Sequence, residues 1–246
     1  MYFFAWRDVK VRYKQAALGA AWAVLQPLLG AILFTIFFGR LAQIPSDGLP
    51  YLLFAYVGLV LWTYFTSVIT HAGQSLTSNT NLITKIYFPR VALPVSAALS
   101  GLLDLAASLP LAVVFMVYFQ TYPSWPLILA PVYLAGTVLF TIGVSLLLAA
   151  LMVRYRDVKY TLPLMVQLWL IVTPVIYPAS FVPEPYRPLF FLNPMAGFIE
   201  GFRTCMLRER WPDPAPTAVS LTVAVVVFVV GWMYFERAER SFADVI

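Results

Sequence analysis

Charged residues are missing from five long stretches of the chain: residues 16–39, 48–84, 105–153, 160–183 and 214–235 contain no Asp, Glu, Lys or Arg. A helix needs roughly 20 apolar residues to cross a hydrocarbon core of about 30 Å, where only hydrogen bonds inside the segment can satisfy the backbone. A soluble helix keeps one wet face, so uncharged runs of this length exclude a soluble domain. Cut at the turn and charge signals, they predict six spans at 22–39, 52–71, 91–119, 127–153, 160–176 and 215–235. The cluster Tyr122-Pro123-Ser124-Trp125-Pro126 divides the third span from the fourth, because proline cannot continue a helix and aromatic rings favour the interface. The expected fold is an all-α membrane protein, a single transmembrane domain over residues 1–246.

Three segments outside the spans carry patterns of their own. Within residues 1–20, Trp6, Val9, Tyr13 and Ala16 recur at helical spacing, with Arg7, Lys10 and Lys14 one position later. That pattern predicts a basic amphipathic helix lying on the headgroups through Trp6, Arg7, Lys10, Tyr13 and Lys14, although Phe3 and Val11 fall on its charged side. Residues 73–90 are polar enough to leave the membrane. Asn79 or Asn81 can cap a short helix there, and Pro89 stops it. Its stripe of Leu82, Ile83, Ile86 and Tyr87, with Lys85 beside it, suits either a groove in a partner or packing under its own spans. Residues 178–213 form the longest stretch between spans, and the apolar piece 189–202 inside it is too short to cross. Asn193-Pro194 can turn a re-entrant hairpin of two short helices, with proline opening the returning one.

Charge distribution orients the bundle. Arg7, Lys10, Arg12, Lys14, Lys85, Arg90, Arg154, Arg156, Lys159, Arg237 and Arg240 share one side, eleven in all; Arg40, Arg187, Arg203, Arg208 and Arg210, five, share the other. The excess puts both termini in the cytoplasm. Composition agrees with the spans: 61% of the 246 residues are hydrophobic and 11% charged, against roughly 25% charged in soluble domains. The first apolar run is too long for a secretory signal peptide.

The chemistry available to the chain is sparse. Cys205 is the one cysteine, which excludes an intrachain disulfide and a cysteine metal cluster. No Gly-Lys dipeptide occurs, so there is no P-loop, and the lone His71 closes the second span without a catalytic partner pattern. Asp104 is the one acid inside a predicted span. It is either a coupling site of an ion-driven carrier or an interhelical hydrogen-bonding group, and the absence of a relay in its own helix favours the second. Aromatic residues line two spans: Phe34, Phe37 and Phe38 on the first, and Tyr51, Phe54, Trp62 and Phe65, with Gly58, along one face of the second. They read as core packing with an interfacial belt, or as a conduit whose ring faces grip sugars weakly and repeatedly.

These pieces together resemble a known family. Arg7-Asp8, Arg12-Tyr13-Lys14, Leu18-Gly19, Trp22 and Gln26-Pro27-Leu28 come first, followed by Asn81-Leu82-Ile83, Lys85, Phe88-Pro89-Arg90 and Leu93-Pro94. Then come Arg156-Asp157, Thr173-Pro174-Val175-Ile176-Tyr177, Asn193-Pro194 and Gly201-Phe202-Arg203. In this order, around six spans, the chain resembles the permease subunits of type-2 ABC exporters for polysaccharides, which handle O-antigen, capsule and teichoic-acid chains. The resemblance implies a homodimer in a bacterial inner membrane, with the polymer path between its subunits. It also implies two copies of a separate nucleotide-binding ATPase subunit, which would hold the ATP and magnesium, so that this chain is neither an enzyme nor a cofactor binder. The N-terminal helix maps to residues 6–17 and the re-entrant pair to 182–203. The ATPase contact maps to 75–90, with Leu82, Ile83, Lys85, Ile86, Tyr87 and Arg90 as its coupling residues. An undecaprenyl-linked O-antigen is the first choice of cargo. A drug exporter of the same superfamily, and an ion-coupled carrier using Asp104, are the competing readings.

Overall fold

The computed structural model describes residues 19, 21–80, 88–240 and 242, and their regular elements are all helical. Helix α1 (Ala21–Phe34) continues as a π-helical stretch, Thr35–Leu41, and α2 (Tyr51–Gln74) returns across the bundle. Then follow α3 (Ala92–Tyr118), a 3₁₀ turn (Trp125–Leu129) leading into α4 (Ala130–Arg154), and α5 (Val158–Ile171). Two 3₁₀ turns (Ala179–Phe181 and Glu184–Tyr186) precede α6 (Arg187–Phe190), α7 (Pro194–Leu207) and α8 (Pro214–Glu239).

Five of these are long and apolar enough to cross a membrane: Ala21–Leu41, Tyr51–Gln74, Ala92–Tyr118, Trp125–Arg154 and Pro214–Glu239. The stretch expected as a fifth span, 160–176, holds a shorter helix. α5 has 14 residues, about 21 Å at roughly 1.5 Å per residue, and it stops at Ile171 because Pro174 drives the preceding residue out of the helical region. The expected re-entrant pair is lopsided. Its first arm is only the four-residue α6, whereas the second, α7, opens at Pro194 with the Asn193 side chain accepting the Met195 N–H at 3.2 Å.

Helix α2 is apolar all round over residues 51–62, as a helix enclosed by protein must be, whereas Thr63, Thr66, Ser67, Thr70, His71 and Gln74 share one less buried side of its second half. α1, α3, α4, α5 and α7 all pack against it. Phe65 of α2 stacks on Phe140 of α4 with centroids 5.6 Å apart, and Trp169 of α5 meets Phe65 edge-on at 5.0 Å. α7 is wedged among α2, α4 and α8, and every one of its residues except Glu200 is buried. It lies level with Phe54 and Gly58 near the start of α2, and with Tyr133 and Gly136 near the start of α4. It therefore occupies the half of the bundle nearer the loops 42–50 and 119–124. The outward faces of α1, α3 and α8 expose aliphatic side chains such as Leu33, Val114 and Val226, as lipid contact requires.

α4 and α8 form the tightest helix pair, and glycine is what allows it. A Cβ on Gly143 would stand 2.7 Å from the backbone Cα of Phe228, and one on Gly231 would collide with the carbonyl of Gly143. Small residues let backbones approach where lipid provides no hydrophobic drive for association. Gly231→Leu is expected to cost about 1–3 kcal/mol through overpacking, read as a lower Tm of the detergent-solubilised protein. Val226→Leu, on the exposed face of the same helix, should leave Tm unaltered. Equal Tm values for the two variants would contradict this packing.

Candidate functional site

Where α5 ends, residues 172–176 run as irregular chain, and Thr173, Pro174 and Val175 are buried. Backbone polar groups left unpaired in such a place cost several kcal/mol each, so the segment is tolerated only if protein satisfies them. Each carbonyl from 171 to 176 finds a donor. The Tyr177 hydroxyl donates to Ile171 O at 2.8 Å, Asn193 Nδ2 to Val172 O at 3.3 Å, and the Val175 N–H to Thr173 O at 2.7 Å. Arg203 Nη2 donates to Pro174 O at 2.9 Å and to Val175 O at 3.4 Å, and the Tyr51 hydroxyl to Ile176 O at 2.6 Å. Asn193 completes the junction by accepting from Trp169 Nε1 at 3.0 Å while its amide reaches Thr173 Oγ1 at 2.9 Å.

Arg203 is the centre of this arrangement and is wholly buried. Its Nε donates to Phe54 O at 3.2 Å, its Nη1 pairs with Glu200 Oε2 at 3.2 Å, and its guanidinium carbon lies 3.6 Å above the Phe54 ring. A planar group with five donors can serve two helices and a broken backbone at once. Gly58 clears the space for it, since a Cβ there would stand 2.5 Å from Arg203 Nη2. Glu200 continues the chain of charge outward by accepting from Arg208 Nη1 at 3.1 Å. Arg208 Nη2 donates to Asp47 Oδ2 at 2.6 Å, and Asp47 Oδ1 accepts from the Ser180 hydroxyl at 2.6 Å. Two guanidinium groups and two carboxylates alternate, so the set is neutral, which is the condition for holding ions away from water. Beyond Glu200 the loops enclose a pocket of about 370 Å³.

The aromatic residues singled out in the sequence separate into two groups. Phe54, Trp62 and Phe65 are core side chains of the bundle, and Tyr51 is half-buried with its hydroxyl spent on the broken backbone. Phe34 at the end of α1 and Phe38 on the π-helical stretch meet edge to face at 5.4 Å, half-buried, while Phe37 points out of the bundle. Asp104 borders a small cavity of about 30 Å³ that Gln26, Thr63, Tyr64 and Ser67 also line. Arg90 donates from its N–H to Glu239 Oε1 at 3.2 Å and from Nη1 to Glu239 O at 2.6 Å, tying the segment before α3 to the end of α8. Leu82, Ile83, Lys85, Ile86 and Tyr87, and likewise Trp6, Arg7, Lys10, Tyr13 and Lys14, lie outside the described residues.

Sequence reasoning missed the Arg203–Glu200–Arg208–Asp47 chain, having counted Arg203 and Arg208 among loop cations. The available signal was an acid and a base three residues apart inside an apolar 14-residue helix, because an ion in such a place must be paired.

Comparison with known proteins adds the family. Residues 1–207 match the model of the ABC-2 type transporter family. The chain is 30% identical over 242 residues to the O-antigen export system permease protein RfbA of Myxococcus xanthus, covering 98% of this chain and 92% of that one. A Klebsiella pneumoniae RfbA is 30% identical over 246 residues with the same coverage. The polysialic acid transport protein KpsM of Escherichia coli is 19% identical over 239 residues, 96% of this chain and 92% of its own.

Arg203→Met would leave the carbonyls of Phe54, Pro174 and Val175 short of a donor and Glu200 with Arg208 alone. A loss of about 3–5 kcal/mol follows from breaking a buried pair on one side, measured as a fall in Tm and in yield of monodisperse protein. Arg203→Lys keeps the charge but not the planar fork, and should fall between the two. A wild-type Tm for Arg203→Met would show that α7 is held by packing alone.

Proposed function

The chain belongs to the ABC-2 type transporter family, and from that premise we propose that it is the membrane-spanning subunit of an ATP-driven polysaccharide exporter. The observation that carries this reading is the near full-length similarity to O-antigen export permeases. A lipid-linked polymer, first of all an undecaprenyl-linked O-antigen, is the cargo, moved from the cytoplasm to the outer face of the inner membrane. Both termini face the cytoplasm, following the excess of Lys and Arg on that side. The chain has no P-loop, so two copies of a separate ATPase subunit supply the energy and hold the ATP and magnesium.

The packing of the protomer supports a path between two copies of this chain. α2 and α7 fill the interior, leaving no room there for a polymer. The outward residues Tyr160, Leu164, Leu168 and Ile171 form one stripe along α5, and Phe37 stands on the open face of the π-helical stretch that continues α1. These, with Phe34 and Phe38 beside them, are the proposed walls of the path. Tyr51, Phe54, Trp62 and Phe65 stand behind those walls as their rigid support. On the cytoplasmic side the segment 73–90 docks on the ATPase, with Leu82, Ile83, Lys85, Ile86 and Tyr87 in the contact. Arg90, bonded to Glu239, carries the push to α8 as well as to α2 and α3.

Deleting the gene is expected to remove the polysaccharide from the cell surface and leave it inside. A normal surface polymer in the deletion strain would refute export by this chain. Ile86→Glu should insert and dimerise but lose ATPase occupancy, or hydrolyse ATP without export, as judged by co-purification and surface polymer. Full export at full occupancy would remove the coupling role from this segment. Asp104→Asn keeps shape and hydrogen bonding, and should preserve export. Loss of transport in a correctly assembled complex would instead favour an ion-coupled carrier.

A further inference from the structure

The pocket beyond Glu200 lies at the end of the bundle opposite Arg90, Arg154 and Arg240, where four distant pieces of chain converge. The side of α7 that carries Gly197, Glu200, Gly201 and Thr204 floors it, Asp47 enters from the loop after α1, Ser180 and Arg187 from the turns and short α6 that follow α5, and Arg210, Trp211 and Asp213 from the segment before α8. A volume of about 370 Å³ falls within the roughly 300–1,000 Å³ of small-molecule sites.

Its lining selects among ligand classes. Carboxylates, guanidinium groups and hydroxyls share the lining with apolar Ala179, Phe191, Pro212 and Pro216, so neither a lipid tail nor a polyanion is matched. No group of three or more His, Cys, Asp or Glu residues that could hold a metal ion occurs among the described residues. Asp47 and Glu200 are already anchored by Arg208 and Arg203, so their geometry is set before any ligand arrives. A carboxylate has about four acceptor sites, so each retains capacity for a ligand hydroxyl. Arg210 has no ion-pair partner among the described residues, leaving its donors for a ligand. Trp211, 61% exposed at the rim, offers a large ring face. Fixed acceptors, free planar donors and an aromatic surface are together the requirements of a sugar ring, which presents hydroxyls at its edge and C–H groups on its faces.

We propose that this pocket is a saccharide-binding subsite that receives sugar units of the exported chain as they leave the path between the two copies. Trp211 stacks beneath a ring, and Asp47, Glu200 and Arg210 hold its hydroxyls. The proposal rests on the polysaccharide-export reading. Contacts of this kind are individually weak, which suits a chain that must keep moving.

Thiol labelling in cells tests it without identifying the sugar. Cys205 is buried and silent, so a single exposed cysteine can be introduced at Ser180 in the pocket, or at Tyr122 on the same end outside it. A membrane-impermeant methanethiosulfonate should modify Ser180→Cys several-fold more slowly in cells making the polymer than in cells blocked at its first sugar transfer. Tyr122→Cys should react equally in both. Trp211→Ala should lower surface polymer roughly three- to tenfold through the lost stacking contact, at wild-type protein level and ATPase occupancy, with Trp211→Phe restoring most of it. Equal labelling of Ser180→Cys in both strains, while deletion of the gene still abolishes surface polymer, would overturn the subsite and leave the export reading intact. Surface polymer that survives the deletion would overturn the export reading, and the subsite with it.

Discussion

A backbone carbonyl buried in an apolar bundle must be met by a donor from the protein, and the architecture of this chain is organised around one stretch where the helix cannot supply it. Pro174 ends α5 after about two-thirds of the length a span requires. The carbonyls that follow would remain unpaired if α7 did not lie alongside and offer Arg203 and Asn193, with Tyr51 reaching across from α2. A fully buried cation in a membrane protein is costly by itself. Here its charge is met by Glu200, its remaining donors by three carbonyls, and its face by the Phe54 ring.

That one side chain joins parts of the fold that are remote in sequence. It links the start of α2, the end of α5 and the interior of α7, and through Glu200 and Arg208 it reaches the loop after α1 at Asp47. Gly58 is small because the guanidinium passes over it. Helix α7 is consequently a wedge locked into the half of the bundle nearer the loops 42–50 and 119–124 rather than a loose hairpin. Its one unburied residue, Glu200, is both a partner of Arg203 and part of the floor of the pocket.

The division of labour proposed for transport follows from this rigidity. A bundle whose interior is filled by α2 and α7 would act as a solid wall, so the proposed passage of a polymer lies between copies, where weak contacts can succeed one another. The tie between Arg90 and Glu239 adds α8 to the unit that a cytoplasmic partner would move. Motion then takes the form of rigid bodies shifting against each other, as packed interiors favour.

Much of the fold is legible in the residues themselves. Charge-free runs mark the long helices, because charge is what a bilayer excludes, and Asn193-Pro194 marks the start of α7, because a capping side chain and a proline suit a helix N-terminus and little else. Which apolar face meets protein and which meets lipid is not legible. Lipid tails are as apolar as leucine, so hydropathy carries no contrast between a buried helix such as α2 and an exposed one such as α1. The fate of Phe54 and Phe65 as core rather than surface could therefore be decided only by packing. The same holds for Arg203. In sequence it is one arginine in a loop-like segment between spans, and only the tertiary fold brings the broken end of α5, the ring of Phe54 and the carboxylate of Glu200 around it.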